Sequence, residues 1–191
     1  MVASIHEAVE VGDLAEVRRL LEEDPGLLQA PDESGFVPLM RAVGGGHIEV
    51  VAYCLDRGAE VNHRHGTAHV NAAFWACSHG YPAILRLLLD QGADPCVRAI
   101  TGWTPLAIAA HRGHMEVVAM LLKHGLDQLQ IDDADREGAT AVLKVAARGR
   151  TEVLRMLRRQ GPILPLLTMR GRPHSPWPRR TRRRPARRSG R

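Results

Sequence analysis

The chain has 191 residues, of which 45% are hydrophobic and only 4% are aromatic, and its formal net charge is +5. This length and composition suffice for one sizeable hydrophobic core, whereas the low aromatic content disfavours an all-β sandwich or barrel. No apolar run approaches the ~20 residues that a membrane-spanning helix needs, so we expect a helical protein without a membrane span.

Taken in chain order, the sequence repeats one block five times. Each block has a short stretch of small and apolar residues, then a glycine, then a second apolar stretch, as in VGGGHIEVVAYCL and HRGHMEVVAMLL. The glycines stand at positions 12, 46, 80, 113 and 149, so their spacings are 34, 34, 33 and 36 residues. Self-similarity at this period indicates a repeat protein in which every block forms one supersecondary unit.

One unit, TGWTPLAIAAHRGHMEVVAMLLKHG, shows the predicted local structure most clearly. Thr104 stands where a helix N-cap belongs, and Pro105 stands at the first helical position. Gly113 is predicted to end this helix in a left-handed conformation, and a second helix is predicted from about His114 to His124. The apolar stripe of the second helix is too wide for an isolated hairpin, so neighbouring units must stack.

Other units depart from this pattern in ways that predict local differences. Val37 replaces the capping threonine, so the helix after it should lack a side-chain cap worth ~1 kcal/mol. Asn71 can still cap the equivalent helix of the third unit, although the loop before it has one extra residue. The first and last units have charged outer faces and are predicted to cap the stack.

The segments GWTPLAIAA, GHMEVVAMLLKHG, DESGFVPLMRA and GHIEVVAYCLDRGAEVN resemble the ankyrin repeat, whose pattern begins D-x-x-G-x-T-P-L-H-x-A. The resemblance covers residues 2–161 and implies an all-α solenoid of about five helix-turn-helix repeats with β-hairpin-like loops. The implied repeats are about 2–31, 32–64, 65–98, 99–134 and 135–161. Ankyrin arrays are generic binding scaffolds, so the resemblance implies an adaptor that binds a protein partner, not an enzyme.

In the ankyrin family, hairpin tips and the exposed edge of each first helix form a concave binding face. Carried over by position, the resemblance gives Phe36, Val70 and Trp103 as an apolar row of hairpin residues. Further contact residues implied by position are Ser78, His79, His111, Arg112, Arg136 and Arg148. An aromatic and arginine groove is typical of a protein-binding hot spot. The alternative is that Phe36 and Trp103 only cover neighbouring hairpins.

A histidine cluster of metal-ligand type lies in one loop, at His63, His65 and His69. Zinc needs three or four converging ligands, and no cysteine or carboxylate closely accompanies these three, so ordinary loop histidines are favoured. The sequence contains no catalytic triad pattern and no phosphate-binding glycine loop followed by lysine. We therefore expect no metal, cofactor or catalytic residue.

Cysteine content bears on the compartment. Cys54, Cys77 and Cys96 are odd in number and include no close pair, which predicts reduced thiols packed in the core. The first residues show no basic and apolar signal segment. We expect a monomer in the cytoplasm, or in the nucleus if the source is a eukaryote.

The segment at 162–191 differs from the rest of the chain. It contains ten of the 26 basic residues, all arginine, and no acidic residue, so the remainder carries a charge of about −5. Its arginines and prolines predict a disordered tail. The tail has two interpretations: it binds nucleic acid or another anionic surface, or it results from out-of-frame translation of GC-rich coding sequence.

Overall fold

The computed structural model describes residues 4–124, 135, 140, 145–146 and 148–158. Its α-helices, numbered in chain order, are α1 (Ile5–Val11), α2 (Leu14–Glu23), α3 (Pro38–Gly45), α4 (Ile48–Asp56), α5 (Ala72–His79), α6 (Pro82–Asp90), α7 (Pro105–Arg112), α8 (Met115–Lys123) and α9 (Thr151–Arg158), and a 3-10 helix spans Pro25–Gln29. The described ranges contain no β-strand, which confirms the predicted helical architecture.

Glycines and caps define the helix pairs, as the sequence predicted. The first helix of each of the first four pairs ends at a glycine with a positive φ: Gly12 (81°), Gly46 (78°), Gly80 (77°) and Gly113 (84°). Thr104 accepts a hydrogen bond from the N–H of Ala107, and Asn71 accepts one from the N–H of Phe74. Val37 makes no side-chain cap, so the helix start at α3 relies on Pro38 at its first position.

Hairpin-like turns connect successive pairs. The N–H of Asp32 donates to the carbonyl of Phe36, and the N–H of Ala99 donates to that of Trp103, both at 2.9 Å. In the third repeat the equivalent bond runs from His65 to Val70, which confirms one extra residue in this turn. The extra length is accommodated by His69, whose φ is +57°.

The helices form two layers around one continuous core. Helices α1, α3, α5 and α7 pack side by side in the first-helix layer, and α2, α4, α6, α8 and α9 pack in the second-helix layer. Leucines dominate the space between the layers: Leu21, Leu39, Leu85, Leu88, Leu106, Leu121 and Leu157 are all almost completely buried. Each helix pair therefore buries its apolar surface fully only by packing against the neighbouring pairs, as expected of a repeat stack.

A second regular contact joins consecutive repeats. The residue after each turn glycine lies against the turn glycine of the preceding repeat, in the pairs His47–Gly12, Tyr81–Gly46, His114–Gly80 and Arg150–Gly113. Nε2 of His47 donates to the carbonyl of Glu10 at 2.8 Å, and Nε2 of His114 donates to that of Ser78 at 3.1 Å. These glycines leave the space into which the next repeat inserts a ring or a guanidinium.

The cysteines are only partly as predicted. Cys54 and Cys77 are buried core thiols, but Cys96 is exposed, because it lies in the loop after α6 and not on a packed helix face. Burial raises the pKa of Cys54 to about 11 and also raises that of Cys77. A raised pKa leaves little thiolate, the reactive form, at neutral pH.

We therefore expect one of the three thiols to react with Ellman's reagent at pH 8 in the native protein. All three should react in 6 M guanidinium chloride, where burial is lost. The absorbance of the released thionitrobenzoate gives the count directly. Rapid reaction of all three thiols in the native protein would contradict the burial of Cys54 and Cys77.

Some sequence predictions concern residues without a described structure. Arg136 and the arginine-rich tail at 162–191 lie outside the described residues. Within the described part of the chain, no helix combines the length and apolar character needed to cross a lipid bilayer.

Candidate protein-binding groove

Two neighbouring depressions lie along the first-helix layer and are here together called the groove. The first, here called the aromatic pocket, has a volume of about 380 Å³ and is lined by Glu10, Phe36, Met40, Arg41, Gly44, Gly45, Trp75 and His79. The second, here called the basic pocket, has a volume of about 550 Å³ and is lined by Ser78, His79, Trp103, Ile108, His111, Arg112, His114, Arg148 and Arg150. His79 lines both, so the two pockets are neighbours on the first-helix layer.

The rings of Phe36, Trp75 and His79 line the aromatic pocket and contact one another. The Phe36 ring lies edge-on to Trp75 with centroids 5.7 Å apart, and Trp75 stacks on His79 at the same distance. His79 in turn stacks on Tyr81 at 5.6 Å, and its Nδ1 donates to the carbonyl of Trp75 at 3.0 Å. Four aromatic or imidazole rings from two repeats are thus held in fixed positions.

Asp32 fixes the hairpin that carries Phe36. Its Oδ1 accepts hydrogen bonds from the N–H groups of Ser34 and Phe36 at 2.8 and 2.9 Å, and its Oδ2 accepts one from Nε of Arg41 at 2.7 Å. Burial by itself raises the pKa of this carboxyl, but these hydrogen bonds outweigh burial and hold the pKa below its usual value. The charged carboxylate places the Arg41 guanidinium over the Phe36 ring, 4.6 Å from its centroid.

Arginines and histidines surround Trp103 in the basic pocket. Trp103 is half-buried, packs against the hydrophobic core and meets His111 edge-on with centroids 5.0 Å apart. Nη1 of Arg112 donates to the carbonyl of Ser78 at 2.8 Å, the same carbonyl that His114 binds. The Arg150 guanidinium lies against Gly113, and Arg148 is exposed beside it. No carboxylate is among the described residues that line this pocket.

Most of the predicted contact residues lie along the groove. The predicted residues that line one of the two pockets are Phe36, Ser78, His79, Trp103, His111, Arg112 and Arg148. Trp103 combines both of its sequence interpretations, since it covers part of the core and also borders the basic pocket. Whether these residues contact a partner stays a prediction.

Val70 is a correction, because it was expected on the exposed face and is buried, at 2% exposure. Ser78 is also largely covered, at 4% exposure, but it still lines the basic pocket. The next hairpin lies across the Val70 turn, where the N–H of Ile100 donates to the carbonyl of Ala68 at 3.0 Å. A short valine side chain is covered there, whereas the longer rings of Phe36 and Trp103 extend further. Ser78 is covered because α5 packs between α3 and α7 and its carbonyl binds Arg112 and His114. The predicted apolar row is therefore interrupted at Val70.

Trp75 is the main groove residue that the sequence analysis missed. It occupies the same repeat position as Arg41 and Ile108, five residues before the turn glycine. Both of those residues also line the groove. The repeat position of Trp75 could therefore have identified it as a groove residue from the sequence. The indole Nε1 is buried and has no hydrogen-bond partner within the described ranges, a cost of about 1–3 kcal/mol for a buried donor.

The histidine cluster has structural contacts. His65 is buried; its Nε2 donates to the carbonyl of Ser34 at 2.8 Å, and its Nδ1 accepts from the N–H of Ala68 at 3.2 Å. Nδ1 of His63 lies 3.7 Å from a carboxylate oxygen of Glu60, and His69 is exposed. Among the described side chains, no group of three or more histidines, cysteines or carboxylates is placed to hold a metal ion.

Comparison with known proteins gives one consistent family. A family model described as ankyrin repeats (3 copies) matches residues 5–99 and 74–163. The chain is 29% identical over 157 residues to "Palmitoyltransferase AKR1" of Lachancea kluyveri, and 32% identical over 158 residues to "Ankyrin repeat protein nuc-2" of Neurospora crassa. It is also 33% identical over 129 residues to "Probable E3 ubiquitin-protein ligase XBOS33" of Oryza sativa.

The aligned regions differ in how much of each protein they cover. They include 78%, 82% and 66% of this chain, but only 21%, 14% and 24% of those three relatives, respectively. The similarity is therefore to a part of much longer proteins. The activities named for the relatives belong to those whole proteins.

Proposed function

The chain belongs to the ankyrin repeat family, and we propose that it is a non-enzymatic adaptor that holds a segment of a partner protein in the groove of its first-helix layer. Ankyrin repeats generally mediate protein–protein interaction, so the groove is the natural place to look for the contact. The observation that carries the proposal is that Phe36 and Trp75 line one pocket and that Trp103 and Arg112 line its neighbour. Tryptophan and arginine are enriched among the residues that dominate binding energy.

Side-chain burial supports the same proposal. The repeated leucines and valines are buried between the two helix layers and maintain the stack. The residues that line the groove instead differ from repeat to repeat, as Arg41, Trp75 and Ile108 illustrate at one equivalent position. Variation at groove positions on a regular scaffold is what selective binding requires. The cysteines of the described residues form no disulfide, which suits the reducing cytoplasm that we propose as the compartment.

Trp103→Ala tests the proposal. Peptides that bind the full chain are selected from a random display library, and their dissociation constants are measured for the wild type and the variant by fluorescence anisotropy. We expect Trp103→Ala to weaken binding at least tenfold, because a half-buried indole at the centre of an interface often contributes ≥ 2 kcal/mol. Its melting temperature should fall by only a few degrees, since the side chain is only partly packed against the core.

Two matched variants complete this experiment. Trp177→Ala makes the same change in the tail and should leave groove binding unchanged, whereas Leu106→Ala, at 1% exposure, should mainly lower the melting temperature. Selected peptides that are insensitive to Trp103→Ala and Trp75→Ala would contradict the proposal. An affinity that falls steeply with salt concentration and is unchanged by both groove variants would instead indicate the second candidate function, anion binding by the arginine-rich tail.

A further inference from the structure

Several arginines of the described surface are paired with carboxylates, whereas the three that border the basic pocket are not. Elsewhere, Arg19 binds Glu16 and Glu23, Arg41 binds Asp32, and Arg64 lies 3.5 Å from a carboxylate oxygen of Asp94. Arg112, Arg148 and Arg150 border the basic pocket without an ion pair to any described carboxylate. Three positive charges thus converge on one concave surface.

Two of these guanidinium groups are already held in place. Arg112 is anchored through Nη1 to the carbonyl of Ser78, and this bond uses one of its five N–H donors. Arg150 packs against the turn glycine at position 113. These two arginine side chains have already lost part of their rotamer entropy in the unbound protein. Binding of a carboxylate therefore has a smaller entropic cost. A planar guanidinium also matches a carboxylate in a bidentate geometry.

The other end of the groove has a different chemistry. The aromatic pocket offers the rings of Phe36 and Trp75 and is bordered by the exposed carboxylate of Glu10. A ligand that spans both pockets through His79 should therefore be anionic over α7 and apolar over α3 and α5. A uniformly charged polyphosphate backbone would approach Glu10 unfavourably, which favours a peptide over a nucleic acid. The chain's own tail is excluded as the occupant, because its charges are all positive.

We propose that the groove selects an acidic peptide segment, with aspartate or glutamate side chains on Arg112, Arg148 and Arg150 and a neighbouring apolar side chain in the aromatic pocket. This inference rests on the proposed function and specifies the partner chemistry of the same groove. It also assigns a direction to the bound segment, since only one orientation places the carboxylates over α7.

Labelled synthetic peptides test the inference on the full chain. The probe is a 12-residue peptide with one phenylalanine and a cluster of three glutamates, and the matched peptide has glutamine at those three positions. We expect the acidic peptide to bind at least tenfold more tightly at 150 mM salt. The double variant Arg112→Gln/Arg148→Gln should remove most of this preference, whereas Arg86→Gln, on the exposed side of α6, should keep it.

Charge reversal sharpens the test. Arg112→Glu/Arg148→Glu should bind a lysine version of the peptide more tightly than the acidic one, with an unchanged circular dichroism spectrum as evidence of folding. Acidic binding that survives the double glutamine variant would place the contact on the tail arginines and overturn the inference. Single-stranded RNA that binds more tightly than the acidic peptide and competes with it would also overturn it.

The inference and the proposed function fail in different ways. Selected library peptides that lose affinity on Trp103→Ala but carry no excess of acidic residues would refute the acidic segment and leave the groove as a binding site. Peptides whose affinity is unchanged by both the tryptophan and the arginine variants would refute the inference and the proposed function.

Discussion

Replacing Leu88 with alanine is expected to lower the free energy of unfolding by about 3–4 kcal/mol. Leu88 lies on α6 at 0% exposure, between the two helix layers, so the variant loses apolar burial and leaves a cavity. Domains of this size are stable by only about 5–15 kcal/mol, so the loss is a large share of the total. Urea denaturation followed by circular dichroism at 222 nm measures it, because the described fold is helical.

Leu87→Ala is the matched control, since it makes the same chemical change one position away on the same helix. Leu87 is only half-buried and should cost about 1 kcal/mol. If the two variants were equally destabilised, the face of α6 that carries Leu88 would not be the one that packs against the core. A Leu88→Ala protein with native stability would contradict the stacked core itself.

Gly80→Ala is expected to cost about 3 kcal/mol for a different reason. The φ of Gly80 is +77°, a conformation that costs an alanine about 1–2 kcal/mol. The added Cβ would also lie 2.4 Å from Nδ1 of His114, so the imidazole must move and give up its bond to the carbonyl of Ser78. The loss of that bond contributes about 1 kcal/mol more.

Gly92→Ala separates the two contributions, again by urea denaturation. Gly92 has a nearly identical φ of +79°, but a Cβ there would meet nothing within 4 Å, so only the backbone cost of about 1–2 kcal/mol remains. Combining Gly80→Ala with His114→Ala should recover part of the loss, as a double-mutant cycle would reveal. If the two glycine variants are equally stable, the contact between repeats at Gly80 is not tight.

Local sequence signals predicted much of the fold. The glycine period placed the turn at the end of α1, α3, α5 and α7, and Asn71 was identified as a cap before the structure placed its side chain on the N–H of Phe74. The absent cap at Val37 and the extra residue of the third hairpin were also predicted. Each of these features depends on backbone conformation within a few residues, which the residue types largely determine.

The groove was less predictable, because exposure depends on residues far away in the sequence. Val70 occupies the position of Phe36 and Trp103, but the following hairpin covers it. Ser78 is buried under Arg112 and His114, which are more than 30 residues away. Trp75 was not predicted as a site residue, because only the stacked repeats place its ring beside that of Phe36. Position within a repeat therefore predicts the face of a residue but not its coverage by neighbours.

The basic pocket draws its walls from three consecutive repeats: His79 comes from the third, Trp103 and Arg112 from the fourth, and Arg148 and Arg150 from the fifth. Stacked arrays open by fraying from their ends, and the contact of Arg150 with Gly113 is one of the joints that fraying would break. A frayed array has no complete pocket. Ligand binding and fraying are therefore linked equilibria. A bound ligand stabilises the packing of the last helices on the stack. Any change that destabilises this packing lowers the affinity for the ligand, even where the changed residue does not contact the ligand.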